Sequence, residues 1–135
     1  MIRIVLAVAL TGLRLSAAQA AECADGARTQ ADMTACAERA HRASDGELNA
    51  LYQQIERRLS DDADTRRRLV AAQRAWVAFR DSECQFMASP AQGGTAYPMV
   101  YSGCLADLTQ KRVGDLRRLL QCPEGDLACP VPRGG

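Results

Sequence analysis

Apolar residues recur at helical spacing in three stretches of this chain. In the first, from about Asp32 to Leu59, a stripe is formed by Ala40, Leu48, Leu51, Tyr52, Ile55 and Leu59. Thr29, three residues before Asp32, is an N-terminal cap signal. Ser44-Asp45-Gly46-Glu47 interrupts the stripe. A glycine costs only about 1 kcal/mol inside a helix, so one continuous helix is expected; the alternative is a break, with Ser44 and Glu47 capping a second helix. Ser60-Asp61-Asp62-Ala63-Asp64 then marks a turn and a helix start, because acids suit the positive end of a helix dipole. The second stripe runs to about Met87 through Leu69, Ala72, Trp76, Phe79 and Glu83/Cys84, with Gln73 and Arg80 beside it. Arg66-Arg67-Arg68 falls mostly off that face, as solvated surface does.

Ser89–Ser102 holds Pro90, Gly93, Gly94 and Pro98 and is expected to be a loop. A third helix is expected from about Gly103 to Leu120, through Leu105, Leu108, Val113, Leu116 and Leu119. Gln121–Gly135 is a Pro/Gly-rich tail, expected to be poorly ordered outside any loop that its two cysteines close. Long helices with short connections predict an all-α fold, a small antiparallel bundle or hairpin of about three helices.

The N-terminus changes the compartment. Arg3 precedes the unbroken apolar run Ile4–Leu10, and Ala18-Gln19-Ala20 is a small-residue cleavage pattern. Residues 1–20 therefore read as a secretory signal peptide, with an apolar run far short of the roughly 20 residues a membrane span needs. Residues 21–120 are left as one helical domain, followed by the tail 121–135. Of 17 basic and 16 acidic residues, removing Arg3 and Arg14 leaves 15 against 16, a formal charge of −1. That balance argues against nucleic acid and against a polybasic membrane contact. The expected product is exported and periplasmic, with no membrane span.

All six cysteines (Cys23, Cys36, Cys84, Cys104, Cys122 and Cys129) follow the leader. An even count in a small exported chain is a disulfide framework. Pairing Cys23–Cys36, Cys84–Cys104 and Cys122–Cys129 closes three short local loops, although order alone leaves other pairings open. The chain lacks C-x-x-C and has one histidine, His41, which argues against a structural metal site. His41 lies in a polar stretch and is expected to be exposed.

Several spaced elements carry a family resemblance. They are Cys23 to Cys36 with TQADMTAC, Asp45-x-x-Leu48-Asn49-x-x-Tyr52, and Leu69-x-x-Ala72-Gln73-x-x-Trp76-x-x-Phe79-Arg80-Asp81-x-x-Cys84. Gly93-Gly94-Thr95, Cys104, Leu108-Thr109 and Arg112-x-x-x-Leu116 follow. Together these resemble the LprI-like lysozyme-inhibitor domain family, small exported bacterial proteins, over about Cys23–Leu120. Gly46 departs slightly from the pattern, and the tail with its two cysteines falls outside it. The resemblance implies a helical, disulfide-stapled fold and, for at least one member, inhibition of lysozyme.

The polar residues point to structure before chemistry. Asn49 and Tyr52 share a helix face, as do Gln73, Trp76 and Arg80. With Arg112, and with Asp45 or Asp81 as counter-charge, they are expected to form a buried network that sets helix register. No nucleophile, base or cofactor motif stands out, so neither an enzyme nor a cofactor is expected. The candidate binding surface is the loop bearing Tyr97, Pro98, Met99 and Tyr101, with Asp61 and Asp62 as an acidic cluster. Two functions compete: an exported inhibitor whose partner is a lysozyme, and a structural or sensory cell-envelope module with another protein or a small ligand.

Overall fold

The computed structural model describes residue 23 and residues 26–134; the expected leader, residues 1–20, lies outside them. The long helices are α1 (Gln30–Arg58), α2 (Ala63–Ala88) and α3 (Tyr97–Leu119), with a 3-10 turn at Ser89–Ala91. They run up, down and up, so α1 and α3 are parallel and α2 is antiparallel to both. The all-α, three-helix, disulfide-stapled fold is the one the sequence predicts.

The helix starts have local causes. The Thr29 hydroxyl accepts the Asp32 N–H at 3.1 Å while the Asp32 carboxylate accepts the Thr29 N–H at 3.1 Å. This reciprocal cap satisfies two otherwise orphaned donors. The bonds from Thr29 hold the Asp32 carboxyl below its usual range. Asp62 caps α2 by accepting the Thr65 N–H at 2.9 Å. Across Gly46, α1 is unbroken, as expected; Ser44 caps nothing and donates back to the His41 carbonyl at 3.0 Å.

Three expectations are corrected. First, α3 begins at Tyr97, so Tyr97–Ser102 is helix and not loop. Pro98 sits in its first turn, where the missing N–H has no helical partner to lose. The true connection is short, and Gly93 supplies its one tight bend with φ +80°. Second, Ala40 is exposed, and the inward side of α1 runs through His41, Ser44 and Leu48. Third, the tail is part of the fold.

The core explains that third point. Leu48, Ile55 and Leu59 of α1 meet Val113 and Leu116 of α3, and Cys122 and Val131 of the tail join them. Burying each such aliphatic side chain stabilises by about 1.5–3 kcal/mol. Arg58 donates to the Leu120 carbonyl at 2.8 Å, which fastens the tail's start to α1. An ion pair between Glu47 and Arg117 joins α1 to α3 further up. Leu69 and Trp76 bring α2 onto the same cluster.

The disulfides are Cys23–Cys36, Cys84–Cys104 and Cys122–Cys129, with Cα separations of 5.6, 5.5 and 5.8 Å. This is the local pairing. Cys84–Cys104 clamps α2 to α3 across the connection between them.

Candidate functional site

Above the apolar cluster the three helices meet through a polar seam. α2 contributes Gln73, Trp76, Arg80 and Asp81, which fall along one side at helical spacing. α1 contributes Asp45 and α3 contributes Thr109 and Arg112. Arg80 is only 8 % exposed. Its Nε donates to Asp81 Oδ1 at 2.9 Å, and one terminal nitrogen reaches Asp45 Oδ1 at 3.4 Å and Thr109 Oγ1 at 3.3 Å. Asn49 donates to the other Asp45 oxygen at 3.2 Å. Arg112 donates to Gln73 Oε1 at 3.2 Å.

Trp76 lies within reach of both cations. The Arg80 and Arg112 guanidinium carbons are 5.2 and 5.8 Å from its ring. A cation held near an aromatic face this way is worth about 0.5–2 kcal/mol. Arginine suits the site because its planar fork serves three acceptors at once.

The structure therefore brings together Asp45, Asn49, Gln73, Trp76, Arg80, Asp81 and Arg112. Tyr52 stands apart: it packs on the apolar cluster, and burial with the nearby Glu56 raises its phenol pKa. Two members are absent from the expected set. Thr109 is completely buried and completes the Arg80 shell. Its place between Leu105 and Val113, four residues from each, is the signal that it faces inward.

The other is His41, expected to be exposed. It is half-buried, because His41, Asp45 and Leu48 occupy one side of the continuous α1. Its Nε2 is buried with no hydrogen-bond partner among the described residues. Burial first, then the Arg80 guanidinium, lowers its pKa below 6.5, while Asp45 and Asp81 oppose that shift and Arg42 adds to it.

The sign of the pH effect follows. Below pH 6.5 the unfolded chain takes up a proton that folded His41 resists, so stability declines as pH falls from 6.5 through the depressed folded value. Asp32 and Asp62, with pKa values lowered from 3.8, lose their contributions in a separate, more acidic window. His41→Gln should flatten the decline of melting temperature between pH 7 and pH 5. Equal slopes for the variant and the parent chain would refute this.

The other expected binding residues do not form one surface. Tyr97 and Tyr101 stack on each other at 5.8 Å and are half-buried. Burial, then Asp81, raises the Tyr101 phenol pKa. Met99 accepts from Gln30 Nε2 at 3.3 Å. Pro98 alone of the four is exposed, and with Thr95, Gln30, Ala31 and Thr34 it lines a shallow depression of ≈ 540 Å³. Asp61 and Asp62 are exposed at the opposite end, about 40 Å away by the length of α1.

The outer side of α2 also differs from expectation. Phe79 is not on the core stripe; it is 55 % exposed, and Phe86 and Met87 are 71 % and 55 % exposed. Ala72 faces outward with Phe79. The stripe that packs inward is Gln73, Trp76, Arg80 and Cys84, one residue along.

Comparison with known proteins bears on this arrangement. A family model described as "Lysozyme inhibitor LprI" matches residues 20–116. An uncharacterised protein of Rhizobium meliloti (strain 1021) is 38 % identical over 107 residues, 71 % of this chain and 77 % of the relative. A crystal structure of a DUF1311 family protein from Pseudomonas putida KT2440 superposes with a TM-score of 0.59 at 27 % identity. That match covers 64 % of this chain and 88 % of the other.

Proposed function

This chain belongs to the LprI lysozyme inhibitor family, and from that membership we propose that it is an exported, periplasmic binding protein that inhibits a lysozyme. The observation that carries the proposal is the family match over residues 20–116. The three disulfides suit an oxidising compartment. The charge, apolar run and small-residue pattern of residues 1–20 supply the export signal. No described helix is long and apolar enough to cross a membrane.

The polar seam suits a structural role better than catalysis. Asp45 and Asp81, the carboxylates nearest the buried arginine, both engage that one guanidinium. They are committed to holding helices together, and neither is left to act as a general base. A lysozyme places two carboxylates in a cleft, and an inhibitor need only obstruct it. The end of the bundle at Thr95 and Pro98, braced by Cys84–Cys104, is the surface we assign to that contact.

The test is turnover of cell-wall substrate by lysozymes of several classes with purified oxidised protein added. Inhibition at micromolar protein, weakened after reduction of the disulfides, is the expected result. No inhibition of any class would overturn the proposal and leave an envelope-interaction module as the reading to pursue.

A further inference from the structure

The outer face of α2 has a pattern that the polar seam does not use. Arg68, Ala72, Ala75, Phe79, Ser82 and Phe86 recur at alternating steps of four and three residues, and all six are exposed. That is the spacing of a seam between two helices. No described element covers it, since the side of α2 that packs inward is the one bearing Trp76, Arg80 and Cys84.

We propose that this face binds a second copy of the same chain, with the two α2 helices antiparallel about a two-fold axis near residue 77. In that register Phe79 lies opposite the second copy's Ala75, and Ser82 lies opposite its Ala72. Phe86 lies opposite its Arg68. Each large residue faces a small one, except where a guanidinium meets an aromatic ring, a favourable pairing. Glu83, one turn before Phe86, brings a carboxylate within reach of the same arginine.

A parallel arrangement would set Phe79 against Phe79 and Arg68 against Arg68, which wastes the alanines and repels the cations. Projection and recess on one helix are what an isologous contact requires, because each surface must complement itself. Net charge does not oppose association: the formal value for residues 21–135 is −1, 15 basic against 16 acidic residues, so long-range self-repulsion is small.

The seam from Arg68 to Phe86 is about 27 Å long. One helix pair of that length is smaller than a standard stable interface, so the dimer should dissociate in the micromolar range. This inference does not depend on the proposed lysozyme target.

The experiment is sedimentation equilibrium of the exported, oxidised protein from about 1 to about 300 µM, a span that brackets such affinities. A concentration-dependent rise from one to two chain masses is expected. Phe79→Gln and Phe86→Gln, each counted twice by symmetry, should weaken the dimer at least tenfold. Because both side chains are more than half exposed, the variants should keep the parent helical circular dichroism and melting temperature. Should either fail to fold, Ser82→Lys carries the test in its place. A parent chain that stays monomeric throughout overturns the proposal, as does a dimer indifferent to these substitutions. Monomeric protein whose lysozyme inhibition is lost on Phe79→Gln would assign the face to the enzyme, and the dimer would fall.

Discussion

Replacing Cys84 and Cys104 together by alanine should lower the stability of the oxidised protein by about 3 kcal/mol. The bridge closes a segment with a sequence separation of 20, and opening it returns that chain entropy to the unfolded state. Cys84 is fully buried, so its loss also leaves unfilled space between α2 and α3. The other bridges span separations of 13 and 7. Loop entropy alone ranks the shortest about 1 kcal/mol below Cys84–Cys104. Urea unfolding of the alanine pair, followed by circular dichroism, measures the loss. A midpoint matching that of the parent chain would show that α2 and α3 hold together without the bond.

Arg80→Met should cost about 1.5–3 kcal/mol, the range for removing hydrogen bonds to charged groups. Methionine keeps much of the apolar stem, so packing volume is roughly conserved. What is lost is the fork that joins Asp45 on α1, Asp81 on α2 and Thr109 on α3. The fully buried Thr109 hydroxyl loses its partner outright. The two carboxylates, each with a side chain 40 % exposed, regain water, which keeps the cost below that of a fully buried pair. Thermal unfolding should show a midpoint lowered by roughly 10 °C. Well below that midpoint any inhibitory activity should persist, because an arginine only 8 % exposed has little surface to offer a partner. Full stability with lost activity would instead make Arg80 a contact residue.

Much of this design is legible in the amino-acid order. The reciprocal cap of Thr29 and Asp32 and the continuity of α1 through Gly46 follow from short-range rules, and the observed cysteine pairing is the favoured one of several that the order leaves open. So does most of the polar seam, because Gln73, Trp76 and Arg80 share a helical face whatever packs against them. The misplacements have physical reasons. α2 carries two interleaved stripes, and hydropathy favours Phe79 over Arg80 as the inward residue; only the carboxylates and hydroxyl of three helices make the arginine's burial affordable. Pro98 reads as a breaker, yet a first-turn proline starts α3. Val131 gains its surroundings from distant parts of the chain, and local composition carries no trace of that; His41 is turned inward by sharing one side of α1 with Asp45 and Leu48, although the residues beside it are polar.

The placement of the bridges divides the molecule in a way the packing conceals. Cys23–Cys36 ties the N-terminal segment to α1 alone, whereas Cys84–Cys104 and Cys122–Cys129 lie entirely within the stretch from α2 to the tail. No covalent link crosses from α1 to the remainder except the backbone turn at residues 59–62. One peptide-bond break there would yield two cross-linked fragments that stay joined through noncovalent contacts alone, among them the packing of Leu48, Ile55 and Leu59, the Arg80–Asp45 and Glu47–Arg117 pairs, and the bonds from Arg58 to the Leu120 carbonyl and from Gln30 to Met99. The oxidised cysteines guard each fragment against unravelling and do nothing to stop the fragments from parting.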